Sequence, residues 1–222
     1  MNKKKLLSLA LAVIMLAILS FGTLAWFSDD DEVTNNFYIA TSDDSTDPDD
    51  IFSVDVWENT PDGDNDQDGY EYDDILPGDL LKKDVYVENT GAYDQYVRVT
   101  VTISDAEAWI NALGADFDVT KVFVGFDATK WTHIWNNLNG ATEIPENIVY
   151  VMYYKDILAV DGKINVFTDV QIPTSLTQEQ AAAFNGAFYI DVKADAVQTE
   201  NVVPAGTAAE DAAWAAFKTV EG

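Results

Sequence analysis

The chain has 222 residues, with 39 acidic against 12 basic side chains, a formal net charge of −27, one histidine and no cysteine. So negative a chain is a poor electrostatic partner for nucleic acid or anionic lipid headgroups, and the lack of cysteine excludes a disulfide framework, a thiol nucleophile and a thiolate metal site. Its length suits one domain with a substantial core.

The N-terminus says where the protein works. Lys3, Lys4 and Lys5 precede an uncharged run over residues 6–27, which meets Ser28-Asp29-Asp30-Asp31-Glu32 abruptly. A basic start, an apolar run and small residues at its end form a secretory signal. Thr23-Leu24-Ala25 supplies the cleavage site, so residues 1–25 are predicted to be removed between Ala25 and Trp26. The run is also long enough to span a bilayer, which leaves an uncleaved anchor as the alternative. Either way the rest of the chain faces the outside, and membrane contact is confined to the signal segment before cleavage.

Beyond the signal, residues 41–50 and 60–74 are acidic and turn-rich and read as surface loops. Phe52, Val54 and Val56 alternate with Ser53 and Asp55, and Val97, Val99, Val101 and Ile103 alternate with Tyr96, Arg98, Thr100 and Thr102. Phe188, Ile190, Val192, Ala194 and Ala196 repeat the pattern, which is that of half-buried antiparallel strands. Residues 150–154 are apolar on both parities, as in a covered strand, and 83–89, 121–126 and 164–172 add further strands. Leu76-Pro77-Gly78-Asp79 and Asn89-Thr90-Gly91 supply turns. Three capping-box starts, at Ser104, Thr177 and Thr207, predict short helices. The first carries Trp109, Ile110 and Leu113 and stops at Gly114; the last opens a C-terminal helix with Trp214 and Phe217 toward the core. The sum is an all-β antiparallel sandwich with short helical excursions and a C-terminal helix.

Catalytic signatures are sparse. The single histidine, His133, stands between Trp131 and Trp135; a zinc protease helix needs two histidines one turn apart, and no G-x-S-x-G elbow occurs. Trp109, Trp131, Trp135 and Trp214 serve either the core or a sugar platform, with the core favoured. Asp64-Asn65-Asp66-Gln67-Asp68-Gly69 matches the first half of a calcium loop: oxygens of Asp64, Asp66 and Asp68 can converge on a hard cation, with the Tyr70 carbonyl at the seventh position. The match stops at Ile75, where a bidentate glutamate belongs, so a solvated acidic loop is the alternative.

Several of these pieces together resemble the TasA/camelysin family of exported matrix-fibre proteins. They are Gly22-Thr23-Leu24-Ala25-Trp26-Phe27-Ser28-Asp29 followed by Thr34-Asn35-Asn36-Phe37, then Leu76-Pro77-Gly78-Asp79, Val87-Glu88-Asn89-Thr90-Gly91-Ala92 and Tyr96-Val97-Arg98-Val99. At the far end, Ala194-Asp195-Ala196-Val197-Gln198 and Ala213-Trp214-Ala215-Ala216-Phe217 look like the closing strand and helix of its clostridial-type members. The resemblance implies a jelly-roll-like sandwich over residues 41–222, processing by a dedicated signal peptidase and assembly into extracellular biofilm-matrix fibres. It also implies that residues 26–40 donate a strand to the next subunit. Trp26, Phe27, Val33, Phe37 and Ile39 form an apolar tail that a solitary domain must fold back or expose. The partners expected are therefore the signal peptidase and further copies of the chain, head to tail, with no required cofactor beyond the candidate calcium. A calcium-stabilised adhesin or carbohydrate-binding module is the second reading. A secreted metallopeptidase, the label some relatives carry, is the third, and no zinc motif supports it.

Overall fold

The computed structural model describes residues 28–33, 53–59, 65–66, 70–72, 74–114, 121–184 and 187–221. Among them are ten strands: β1 (Ser28–Val33), β2 (Val54–Asn59), β3 (Asn65–Asp66), β4 (Leu80–Asn89), β5 (Gln95–Ile103), β6 (Phe123–Val124), β7 (Trp131–Asn136), β8 (Ile148–Tyr154), β9 (Lys163–Gln171) and β10 (Ile190–Gln198). Helices α1 (Ala106–Leu113), α2 (Gln178–Ala183) and α3 (Ala212–Glu221) complete the fold. The strands form two antiparallel five-stranded sheets, ordered β1-β10-β5-β8-β7 and β3-β2-β4-β9-β6. The chain passes from one sheet to the other after β1, β4, β5, β6, β8 and β9, wrapping both layers in the manner of a jelly-roll-like sandwich.

The alternation in sequence is the alternation of burial. Val97, Val99, Val101 and Ile103 of β5 are fully buried, as are Val54 and Val56 of β2 and Ile190, Val192, Ala194 and Ala196 of β10. Branched side chains on the inner face of each pleat meet those of the other sheet, and each large one that is fully buried contributes roughly 1.5–3 kcal/mol. Phe123 and Phe167 stack inside, with ring centroids 4.3 Å apart. Trp109 of α1 closes one end edge-on to Phe184 and Phe188, at 5.0 and 5.1 Å.

Turn chemistry follows the sequence at both predicted turns. Gly78 takes φ +94, which only glycine adopts at ease, and the Asp79 side chain accepts from Leu76 N at 2.7 Å. Asn89 Oδ1 accepts from Gly91 N at 3.0 Å, the local bond that makes asparagine a turn residue. The capping boxes fare differently. Thr177 and Gln180 exchange both bonds, at 3.2 and 2.8 Å. Ser104 instead donates to Asp105 and accepts from Tyr189 N, so its hydroxyl is taken by the β10 side and α1 starts without a side-chain cap. Thr207 donates to the Pro204 carbonyl, and a 3-10 turn at Ala209–Asp211 leads into α3.

Candidate functional site

One cross-strand row and the helix laid on it organise the outer face of the first sheet. Asp30 of β1, Asp195 of β10, Arg98 of β5 and Tyr153 of β8 stand in register. Arg98 grips Asp195 through Nε at 2.8 Å and Nη2 at 2.6 Å, and its Nη1 holds Glu221 at the end of α3. Phe217 lies under the guanidinium, with Cζ 4.6 Å from the ring centroid. Burial opposes the charge on Arg98, but the bonds to Glu221 and Asp195 outweigh it and raise its pKa. Burial likewise works against the Glu221 carboxylate, yet Arg98 holds it below its ordinary value. The small Ala212, Ala213 and Ala216 let α3 approach Tyr96, Tyr153 and Val197 closely, forming a second apolar cluster. Arg98 thus ties the C-terminal helix to the strand that carries β1.

Strand β1 is the edge of that sheet, paired antiparallel with β10 from Ser28↔Val197 to Val33↔Val192. Of the expected donor residues Val33 ends this strand; Trp26, Phe27, Phe37 and Ile39 lie outside the described residues, as does Ala25. Ser28 enters at the end of the sandwich where the β4–β5 and β8–β9 loops meet. There Gln95 and Leu158 bond backbone to backbone at 3.0 and 2.9 Å, and Asn89 Nδ2 donates to the carbonyls of both Tyr93 and Leu158. On this fixed platform Tyr93, Ile157 and Val160 remain 58, 47 and 42 % exposed.

Of the calcium-loop residues, Asp66 lies in β3 opposite Glu58, and Tyr70 packs edge-on against Tyr72 at 4.9 Å. Asp64 and Asp68 lie outside the described residues. Between β2 and β4 is a pair that the sequence reading missed. Lys83 Nζ sits 2.8 Å from Glu58 Oε2, and both side chains are essentially inaccessible. The signal was present, because Glu58 shares the parity of Val54 and Val56, and Lys83 that of Val85 and Val87. The Tyr72 hydroxyl donates to the Lys82 carbonyl and lies 3.4 Å from Glu58. Burial pushes the Lys83 ammonium down, with Glu58 opposing.

The four tryptophans divide. Trp109 and Trp131 are core, whereas Trp135 is 49 % exposed and Trp214 lies at the rim of α3, stacked on His133 with centroids 4.4 Å apart. His133 Nε2 is 2.9 Å from Asp211 Oδ1.

The family model described as camelysin metallo-endopeptidase matches residues 1–138, more than half the chain. The chain belongs to the camelysin family. No curated protein and no solved structure matches it. The match runs from the N-terminus to the end of β7, so the closing β10 strand and α3 lie beyond it. The camelysin description names a metal-dependent peptidase, and no donor set among the described residues fits one. The only histidine in the chain is stacked on Trp214 and bonded to Asp211. Among the described residues no three histidine or carboxylate side chains are grouped to hold a metal ion. No helix among the described residues is long and apolar enough to cross a membrane.

Proposed function

We propose that this camelysin-family chain is a structural subunit of extracellular fibres, not a peptidase, and that it polymerises by exchanging its N-terminal strand after signal cleavage. The observation that carries this reading is the position of β1: a terminal edge strand held by the β10 ladder alone within its sheet. An identical strand from a neighbour would form the same ladder, so exchange leaves the pairing energy unchanged. Concentration and contacts at the subunit junction then decide between monomer and polymer. By register Asp29 and Asp31 stand opposite the core-lining Ala196 and Ala194. Exposed Tyr93, Ile157 and Val160 at the Ser28 end of β1 offer an apolar surface for a neighbouring subunit. A contact between one subunit's tail and another's edge is heterologous and does not close, so it generates filaments.

Electron microscopy of material secreted by the expressing cell tests the reading, together with mass spectrometry of its N-terminus. We expect filaments of chains beginning at Trp26. Monodisperse particles, or chains retained in membranes with Met1 still attached, would refute it.

The acidic loop adds a cation dependence. Calcium held by Asp64, Asp66, Asp68 and the Tyr70 carbonyl would tie together the acidic segment that follows β2. Replacing the three aspartates by asparagine is expected to abolish calcium-dependent thermal stabilisation. If the unmodified protein shows no melting shift in millimolar calcium, the loop is a solvated turn.

A further inference from the structure

We propose that the groove between β7 and α3 binds a neutral glycan, at the opposite edge of the sheet from β1 and independently of the fibre contact. The groove encloses about 560 Å³, within the range of small-molecule sites. It is walled by Arg98, Tyr153, His133, Trp135, Trp214 and Glu221.

Its origin is a fault in β7. That strand pairs with β8 at Trp131↔Tyr154 and Thr132↔Tyr153, then shifts register to Trp135↔Val151, so His133 and Ile134 together occupy one step of the ladder. His133 absorbs the extra residue with φ +47, a left-handed conformation that costs a side-chain-bearing residue energy. Period two alone would place Trp131 and Trp135 on the same face. Trp131 is 2 % exposed in the core, but the bulge inverts the phase, and His133, Ile134 and Trp135 all reach the surface. The bulge sets His133 against Trp214 and Asp211 and at the same time turns Trp135 out to solvent, and bulges that re-aim side chains are over-represented next to active sites.

The chemistry of the groove selects the ligand. Its cations are paired with carboxylates, Arg98 with Asp195 and Glu221 and Lys218 with Glu221, while His133 Nε2 is hydrogen-bonded to Asp211. Both cations of the groove are already held by carboxylates of the chain, and the field of a chain at −27 repels polyanions. An uncharged ligand with both apolar faces and many hydroxyls satisfies both halves of the site. Its C–H face lies on the exposed indole of Trp135, and its hydroxyls bond the carboxylate edge of Glu221 and the hydroxyl of Tyr153.

The test uses the full mature chain titrated with cellohexaose, chitohexaose, mannohexaose and polygalacturonate, followed by tryptophan fluorescence and calorimetry. At least one neutral hexaose should bind, and Trp135→Ala should weaken it by about tenfold or more while fibres still form. Trp135→Phe keeps an aromatic face and should retain most of the affinity, which separates a stacking loss from misfolding. The proposal is overturned if no neutral hexaose binds at millimolar concentration, if Trp135→Ala binds as well as the parent, or if polygalacturonate binds best. It is equally overturned if Trp135→Ala abolishes fibres without changing sugar binding, since the groove is then a subunit contact.

Discussion

Replacing Glu58 by alanine is expected to destabilise the fold by about 3–5 kcal/mol, because it leaves the Lys83 ammonium buried without the carboxylate 2.8 Å away. For a domain of this size each kcal/mol moves the melting temperature by roughly 2–4 °C, so thermal denaturation reads the effect directly. The double variant Glu58→Leu, Lys83→Met removes both charges and should recover most of the loss, since a well-packed apolar pair is often as stable as a buried ion pair. The pH dependence has a defined sign. Burial lowers the folded pKa of Lys83, and without Glu58 it falls further. The unfolded chain then binds more protons than the folded one in the alkaline range, so stability rises with pH there. The gap between Glu58→Ala and the parent should therefore narrow as the pH is raised above neutrality. A single variant as stable as the parent would mean that the pair is hydrated and carries little.

Deleting residues 26–40 is expected to abolish fibres while leaving a folded domain. The deletion takes β1 from the edge of its sheet but leaves the strand ladders from β2 onward in place. Several large apolar anchors at roughly 1.5–3 kcal/mol each explain how a donated tail can outweigh repulsion between acidic subunits. A synthetic peptide of residues 26–40 should bind the truncated domain, restoring its edge without restoring polymerisation. Normal fibres from the truncated chain would make the segment irrelevant. An unfolded chain even with peptide present would make β1 an ordinary internal strand.

The sandwich was legible because its strands are long and alternate cleanly: Val97 to Ile103 and Ile190 to Ala196 show in sequence the faces they show in space. Strand β7 was not read as an element, since the bulge at His133 breaks its period two and sets three exposed residues in a row. Strand β3 is only two residues long inside an acidic loop that propensity assigns to solvent. The signatures at Ser104 and Thr207 marked real helices, but their hydroxyls found competing partners in Asp105, Tyr189 and Pro204, contacts a local motif does not encode. Among candidate site residues, the sequence marked the tail that contains β1 but not the slot it fills. Arg98, which binds Asp195 and Glu221 from 97 and 123 residues away, became visible only once β5, β10 and α3 were brought together.

Strand exchange itself is best tested by covalent capture, for which a chain without cysteine is well suited. Asp31 and Ala194 are cross-strand partners, and facing residues of an antiparallel pair lie about 4.5–5.5 Å apart at Cα, within disulfide range. A mixture of two single variants, Asp31→Cys and Ala194→Cys, is assembled, oxidised and run on a denaturing gel without reductant. Exchange predicts a disulfide-linked heterodimer that joins one of each variant, and a ladder of higher multimers when both cysteines are placed in every chain. Fibres in which the doubly substituted chain links only within itself, and in which the mixed single variants form no disulfide between their introduced cysteines, would contradict it.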